Sequence, residues 1–282
     1  MTLEARGPDA AGTVPSAAAQ SAPVHTSLRA FNRFELKYLA DQRLVTALRT
    51  ELTGRLDHDV NSRAGSYTVW SSYYDTRDLR FYWEKIEGIR FRRKLRIRHD
   101  GSLSDLSGEA AVWVEIKQRV NRVTQKRRAR LPSAQALLLC AGQEPQGADR
   151  RDEPVIEEVL AMVAEFTLQP AMAVGYVREP FEGRDEETGL RVTIDSRVRG
   201  RDRDLDLRLE TENRLVVRPD FSIVEIKVNE RAPYWLTDWV ARHNLQLIRM
   251  SKYCQGIEVY GRAPRSVFHL PEGESPEENE RC

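Results

Sequence analysis

The sequence predicts an α+β fold, a mainly antiparallel β-sheet or barrel with a few helices packed outside it. Two observations carry that expectation. Apolar and polar residues alternate with period two in TVWSSYYD (68–75), IRFRRKLRIRH (89–99), AVWVEIKQR (111–119), AMAVGYVRE (171–179), LRVTIDSRV (190–198), RDLDLRLET (203–211) and FSIVEIKV (221–228). In a strand, such alternation sorts side chains onto two faces. Helical spacing is confined to a few short segments, and no linker divides the strands, so they belong to one domain of the 282-residue chain.

Taken in order, residues 1–28 are rich in Ala, Pro, Ser and Gly without periodic hydrophobes, which reads as a disordered arm. The domain is expected over 29–264, and the alternating segment 33–38 opens it. Asp41 is placed to cap a helix whose Leu44, Val45, Leu48 and Leu52 share a stripe. Three strands follow, broken by the loop HDGSLSDLSGE (99–109). Ser133 precedes a short helix ended by Gly142. Pro154 opens a helix with Val155, Val159, Met162 and Phe166 along one side, and Pro233 opens another over YWLTDWVARHNL. The acidic tail 265–282 reads as flexible.

Lys and Arg total 44 against 43 Asp and Glu, a balance that argues against a protein coating nucleic acid or a membrane surface. Cys140, Cys254 and Cys282 lie far apart, which excludes a disulfide framework or zinc finger and suits a reducing compartment. No run approaches a membrane span and no secretion signal stands at the N-terminus, so the expected location is cytoplasmic.

What the alternation sorts is more informative. Phe34, Leu36 and Tyr38 oppose Arg33, Glu35 and Lys37. Phe91, Leu95 and Ile97 oppose Arg92, Lys94, Arg96 and Arg98. Val112, Val114 and Ile116 oppose Trp113, Glu115 and Lys117; Leu190, Val192 and Ile194 oppose Arg191 and Asp195. In 223–228 the aliphatic residues cannot all share a face, but Glu225 and Lys227 do. A half-solvated sheet alternates with no functional meaning, and for one strand that is the simpler reading. A solvated face usually mixes Thr, Ser and Gln with charges, whereas these faces are nearly all Arg, Lys and Glu. Same-face neighbours are roughly 6.5–7 Å apart, so Arg96 and Arg98 repel unless an anion lies between them. Together the strands imply apolar sides packed outward under helices and charged sides lining a lumen. There, cations would hold phosphate oxygens and a carboxylate a divalent metal. The runs RFRRKLRIR and RVNRVTQKRRAR fit strands with a buried back rather than a solvated basic helix, so no nucleic-acid partner is expected.

These residues resemble a VTC domain, the polyphosphate polymerase branch of the triphosphate tunnel metalloenzymes, which also include CYTH phosphatases and cyclases. The resemblance runs from about Phe31 to Gly261. It rests on FELKY (34–38), SSYYDT (71–76), KLRIR (94–98), VEIKQR (114–119), VTQKRR (123–128), YVRE (176–179), LRVTID (190–195), VEIKV (224–228) and RMSKY (249–253). It implies an eight-stranded antiparallel tunnel that binds ATP and inorganic polyphosphate with Mn²⁺ or Mg²⁺. Carried over motif by motif, Arg96, Arg98, Lys117 and Lys126 would grip the transferred and neighbouring phosphoryl groups. Lys37 would contact the chain, Arg178 and Arg191 would line the opposite wall, and Arg249 and Lys252 would close one mouth. Relatives often carry Lys where Arg249 stands. Glu225 would hold the metal, while Lys227 and Glu115 face the same lumen by periodicity.

The implied reaction moves the γ-phosphoryl group of ATP onto a growing chain. Its nucleophile is an already ionised phosphate oxygen, so no general base is needed, and His58, His99 and His243 read as surface residues. CYTH members typically carry two alternate glutamates before the lysine of the first strand; here one of them is replaced by Arg33. That replacement favours polymerase over a metal-dependent triphosphatase, with a non-catalytic polyphosphate-binding module as a further alternative. A membrane-protein partner of the kind eukaryotic relatives have is not visible in the sequence.

Overall fold

The structure is a computed structural model that describes residues 34–263, apart from 60, 61, 63, 64, 122, 210 and 230. The expected arm (1–28), the acidic tail (265–282), Arg33 and Cys282 lie outside the described residues.

Among the described residues, ten strands and six α-helices follow one another. They are β1 (Phe34–Asp41), α1 (Gln42–Arg55), β2 (Asp57–His58), β3 (Tyr67–Asp75), α2 (Arg80–Ile86), β4 (Phe91–Asp100), β5 (Ala111–Val120) and β6 (Val123–Pro132). Then come α3 (Ser133–Cys140), α4 (Glu153–Phe166), β7 (Gln169–Glu182), β8 (Arg191–Arg201), β9 (Arg214–Leu215), β10 (Phe221–Val228), α5 (Tyr234–Arg242) and α6 (Lys252–Val259). The strands form one antiparallel sheet in the order β1-β10-β8-β7-β3-β4-β5-β6, with β2 beside β7 and β9 beside β8.

Among the described residues no ladder joins β1 to β6, so the sheet is curled but not closed. Its two ends still meet through side chains, since Lys117 of β5 reaches Glu35 of β1 at 3.2 Å. The free edge of β1 is partly taken by residues 247–248, where Tyr38 bridges Leu247 and the Ile248 N–H donates to the Lys37 carbonyl. The β6 edge carries Lys126, Arg127, Arg128 and Arg130 and ends at Pro132. Charges and proline are features that discourage further strand pairing.

The outward faces pack as the alternation requires. Leu95, Ile97, Val112, Val114 and Ile116 bury with Ala136 and Leu139 of α3 and Ile156, Val159 and Met162 of α4. Tyr38, Val192, Ile194, Val224 and Ile226 bury with Val45, Leu48 and Leu52 of α1 and Leu236 and Trp239 of α5. Each fully buried Leu or Val contributes about 1.5–3 kcal/mol. The Asp41 carboxylate caps α1 by accepting from the Leu44 N–H at 2.9 Å, as its position predicts. Ser133 does not cap α3. It is the first helical residue, and its hydroxyl donates instead to the Ser107 carbonyl at 2.7 Å.

Two expectations need correction. Not every helix lies outside: α6 packs against the concave face, where its Tyr253, Cys254 and Ile257 bury with Val69, Met172, Val174, Tyr176 and Ile223. Ile223 is thus the aliphatic residue of its strand that points inward, under the helix. Neither α6 nor the short α2 is among the helices expected from the sequence, although Tyr253, Cys254 and Ile257 stand at helical spacing, as do Tyr82, Trp83 and Ile86; both helices are held by tertiary contacts. The buried Asp75 carboxylate accepts from the Phe81 and Tyr82 N–H groups of α2 and from the Tyr253 hydroxyl of α6. Burial pushes its carboxyl up to about 6.

The second correction concerns RDLDLRLET (203–211), which alternates but whose described residues form no strand. It wraps the guanidinium of Arg201, 1% exposed, which donates to the carbonyls of Asp204 (2.8 Å) and Asp206 (2.9 Å). Asp204 adopts a positive φ of 50° that ends any strand there. Hydrogen bonds to a charged group contribute roughly 1.5–3 kcal/mol each, and orphaned carbonyls add a cost. Arg201→Ala should therefore lower the unfolding free energy by about 3 kcal/mol or more. Urea denaturation measures this, and a change under about 0.5 kcal/mol, typical of a neutral surface site, would contradict the loop-organising role.

Candidate active site

Two buried carboxylates anchor the concave face. Glu225 of β10 has one oxygen 3.2 Å from Lys37 Nζ and 3.0 Å from Lys252 Nζ. Its other oxygen lies 3.3 Å from Lys227 and 3.7 Å from Arg178. The backbone dictates this meeting: Lys37 is the cross-strand partner of Glu225, Lys227 is its same-face neighbour, and Lys252 arrives on the first turn of α6. Arg178 also makes a two-pronged pair with its own cross-strand partner Asp195, both bonds at 2.7 Å. Lys252 ties Asp195 in at 2.6 Å. Burial pushes the Glu225 carboxyl up, but Lys252, Lys37, Lys227 and Arg178 outweigh it and hold the group well below the usual range. Lys227 goes the other way, because burial, aided by Arg178, pushes its ammonium down to about 8 despite Glu225.

The facing wall is built by β4, β5 and β6. Glu115, 1% exposed, accepts two bonds from its cross-strand partner Arg96 (2.9 and 2.5 Å) and one from Lys126 (3.3 Å). Burial raises the Glu115 carboxyl, yet Arg96 and Lys126 prevail and bring it down to about 2. Arg96 is steadied further by the Tyr73 hydroxyl (3.1 Å) and Ser71 (3.4 Å). Lys94 donates to the Ser251 hydroxyl at 2.6 Å and sits 5.1 Å from the centre of the Tyr253 ring. Glu35 bridges Lys37 (3.0 Å) and Lys117 (3.2 Å) across the seam of the sheet. Three walls of one curled sheet thus turn cations and carboxylates toward a common space.

Residues 32–260 match the VTC domain. The chain belongs to the VTC domain family. No curated protein matches it. Among solved structures the VTC domain is similar to a "putative adenylate cyclase" from Bacillus halodurans, with 13% identity, a TM-score of 0.46, and coverage of 78% of this chain and 95% of that one. A protein from Pyrococcus horikoshii gives 12% identity and a TM-score of 0.40 over 82% and 99% of the two chains. A chain of the Schizosaccharomyces pombe Mediator head module gives 11% and 0.36 over 75% and 90%.

In this VTC domain the fold brings Lys37, Arg96, Arg178, Glu225, Lys227 and Lys252 together within the concave face. Lys117 and Lys126 lie on the same face but are more exposed, and Arg98 pairs with Asp100 at 2.8 Å toward one rim. Arg191 stands at a rim too, held by Asp59 (2.7 Å) and Glu182 (2.6 Å). Lys252, expected at a mouth, is instead 8% exposed and central to the ion-pair lattice. Its companion Arg249 is exposed and lines a concavity of about 250 Å³ with Lys85, Ile86, Met250 and Ser251.

Three further residues belong to the site. Alternation already puts Lys94 and Asp195 on the charged faces beside Arg96 and Arg191, but it assigns neither of them a role. Tyr176, whose ring lies 4.6 Å from Lys252 Nζ and 5.1 Å from the Arg178 guanidinium, gives no such signal, because an aromatic residue in a strand reads as core. The described histidines lie elsewhere. His58 lies tilted against Phe181, with ring centroids 4.6 Å apart, and His243 stacks on Trp239. His99 is not a surface residue: it is 7% exposed on the outer side of β4, with its ring bonded to the Ser102 carbonyl.

Among the described residues no three His, Cys, Asp or Glu side chains converge as a metal cage. Glu225 is nonetheless an ionised oxygen donor. Its cross-strand partner Thr193 keeps a fully buried hydroxyl with no hydrogen-bond partner. Both Glu225 oxygens face cations at rest, so this donor set fits a divalent cation only once phosphate draws those cations away, with the remaining ligands taken from phosphate oxygens and water, as Mg²⁺ commonly does. No helix among the described residues is long and apolar enough to cross a membrane.

Asp195→Asn strips Arg178 and Lys252 of the nearer of the two carboxylates they share. Removing one member of a buried pair costs about 3–5 kcal/mol, so the urea midpoint should fall sharply. Tripolyphosphate should restore more stability to the variant than it adds to the wild type. A variant as stable as the wild type in plain buffer would refute the burial of this pair.

Proposed function

We propose that this VTC domain transfers the γ-phosphoryl group of ATP to the end of a polyphosphate chain and releases ADP. One observation carries the reading. Lys37, Lys94, Arg96, Arg178, Lys227 and Lys252 converge on one enclosed face, and no described imidazole joins them. The acceptor is a terminal phosphate oxygen that is already ionised, so forming the new P–O bond needs no base. The bond from the γ-phosphorus to the β,γ-bridging oxygen breaks, and its electron pair leaves with ADP. What remains is alignment of donor and acceptor and neutralisation of charge on the moving group.

The buried carboxylates act as placeholders in this reading. Glu115 keeps Arg96 and Lys126 in position, while Glu225 and Asp195 do the same for Lys37, Arg178 and Lys252, until phosphate oxygens take over those donors. Arg96, steadied by Tyr73 and Ser71, is placed to take the transferred group. Lys37, Arg178, Lys227 and Lys252 hold its neighbours, and Arg98, Lys117 and Lys126 line the approaches. Arg191 and Arg249 draw the polyanion in from the rims. Glu225, with Thr193 beside it, would hold Mn²⁺ or Mg²⁺, which supplies further charge neutralisation to the phosphate oxygens.

Purified protein given ATP and Mn²⁺ should release ADP and build an acid-stable ladder of phosphate chains. Glu225→Gln should lose most metal-dependent turnover while still binding tripolyphosphate. Release of orthophosphate alone would replace the polymerase reading with hydrolysis.

The depressed Lys227 ammonium sets a pH dependence. Below about pH 8 it is protonated in the free protein. Above that value, anion binding must take up a proton. Tripolyphosphate affinity should therefore fall with rising pH, by up to about tenfold per unit. Lys227→Arg should flatten the profile measured by calorimetry, and an equally steep profile in the variant would remove Lys227 from the binding face.

A further inference from the structure

We propose that the base of the nucleoside triphosphate stacks on Trp113, which gives the lumen a nucleoside end and a phosphate end. The inference rests on the ATP-using reading above and adds to it where the nucleoside lies. Trp113 occupies the charged face of β5 with Glu115 and Lys117, roughly 6.5–7 Å beyond the Glu115–Arg96 layer along the strand. Its cross-strand partners are Arg98 on β4 and Arg130 on β6. The Arg128 guanidinium lies over its ring at 3.9 Å from the centroid, and that of Arg130 at 5.8 Å. Arg128 and Arg130 are exposed and Trp113 is half-buried, so this end opens to solvent.

A half-buried indole on an otherwise ionic wall is out of place if the wall only grips phosphate. The exposed Arg128 guanidinium already stacks on the indole at 3.9 Å. A nucleobase is a planar group of the same kind, takes that face when Arg128 swings into solvent, and is tolerated whatever its identity because each base has a π-face. Arg98, beside Trp113, stands where the phosphates nearest the nucleoside would lie. The opposite end of β4 differs in kind. Arg92 begins the inward row there, about 20 Å along the strand from Arg98 at roughly 3.4 Å per residue, and Lys94 follows at about 14 Å. The concavity at that end is walled by Lys85, Ile86, Arg249, Met250 and Ser251, and Lys94 touches the Ser251 hydroxyl from the lumen side. That lining sets Lys85 and Arg249 beside Glu258 and holds no aromatic ring, and the nearby Tyr253 ring is 1% exposed and lies against Lys94, so this end offers no open face on which a base could stack. The donor therefore enters at the Trp113 end with its triphosphate pointing toward Arg96.

Calorimetry on the full chain with Mn²⁺ compares ATP with inorganic tripolyphosphate, which has the phosphates but no base. Trp113→Ala should weaken ATP about tenfold, within the range seen for base–aromatic stacking, and leave tripolyphosphate within twofold. Trp113→Phe should recover most of the lost ATP affinity, and GTP should behave as ATP does. Equal loss for both ligands would make Trp113 a structural residue, and no loss for either would place the base elsewhere; each overturns the proposal. Wild-type protein that binds neither ligand would instead bring down the phosphate-tunnel reading itself, a different outcome from either of these.

Discussion

The concave face of this sheet depends on one electrostatic constraint: positive charge buried at high density must be balanced on the spot. Moving an isolated ammonium or guanidinium out of water costs several kcal/mol even after relaxation. Here Glu35, Glu115, Asp195 and Glu225 are interleaved so that each touches at least two cations. Arg178 and Lys252 stay fully charged at this depth because Asp195 and Glu225 stand beside them. Where balance is incomplete the result is visible, as in Lys227, whose ammonium is driven down toward neutrality.

The same constraint links the resting site to its function. A face holding more cations than carboxylates attracts a polyanion, and a phosphate chain offers the same kind of oxygen that the carboxylates provide. Exchange of one acceptor for the other lets the side chains stay near the places they already occupy. Such preorganised donors need little rearrangement when charge develops on a phosphoryl group. The arrangement also suits a reaction without acid–base chemistry, which agrees with histidines that serve outer packing and loop contacts.

Helix α6 completes this environment from within. It brings Lys252 to the carboxylates and fills one end of the concave face with Tyr253, Cys254 and Ile257. Asp75 fixes it there through the Tyr253 hydroxyl while holding the start of α2. A single buried carboxyl thus couples the end of β3, the turn into α2 and the helix that carries a central cation. The open seam between β1 and β6 is spanned by charge rather than by backbone, through Glu35 and Lys117.

Much of this was legible in the sequence, because a period of two needs no knowledge of what a strand will meet. Alternation alone put Glu225 with Lys227, Arg96 with Arg98, and Val112 with Ile116 on their proper faces. The Asp41 cap was equally local. Alternation failed for RDLDLRLET, where the buried Arg201 offered backbone carbonyls a better partner than a neighbouring strand could. It also said nothing of depth, so Lys252 looked like a rim residue. Strand identity, face and most of the ionic inventory were settled by the sequence, since each follows from residues two apart. Only the tertiary structure decided which cation meets which carboxylate, where the sheet stays open and which helix turns inward, because those depend on registers and contacts between segments far apart in the chain.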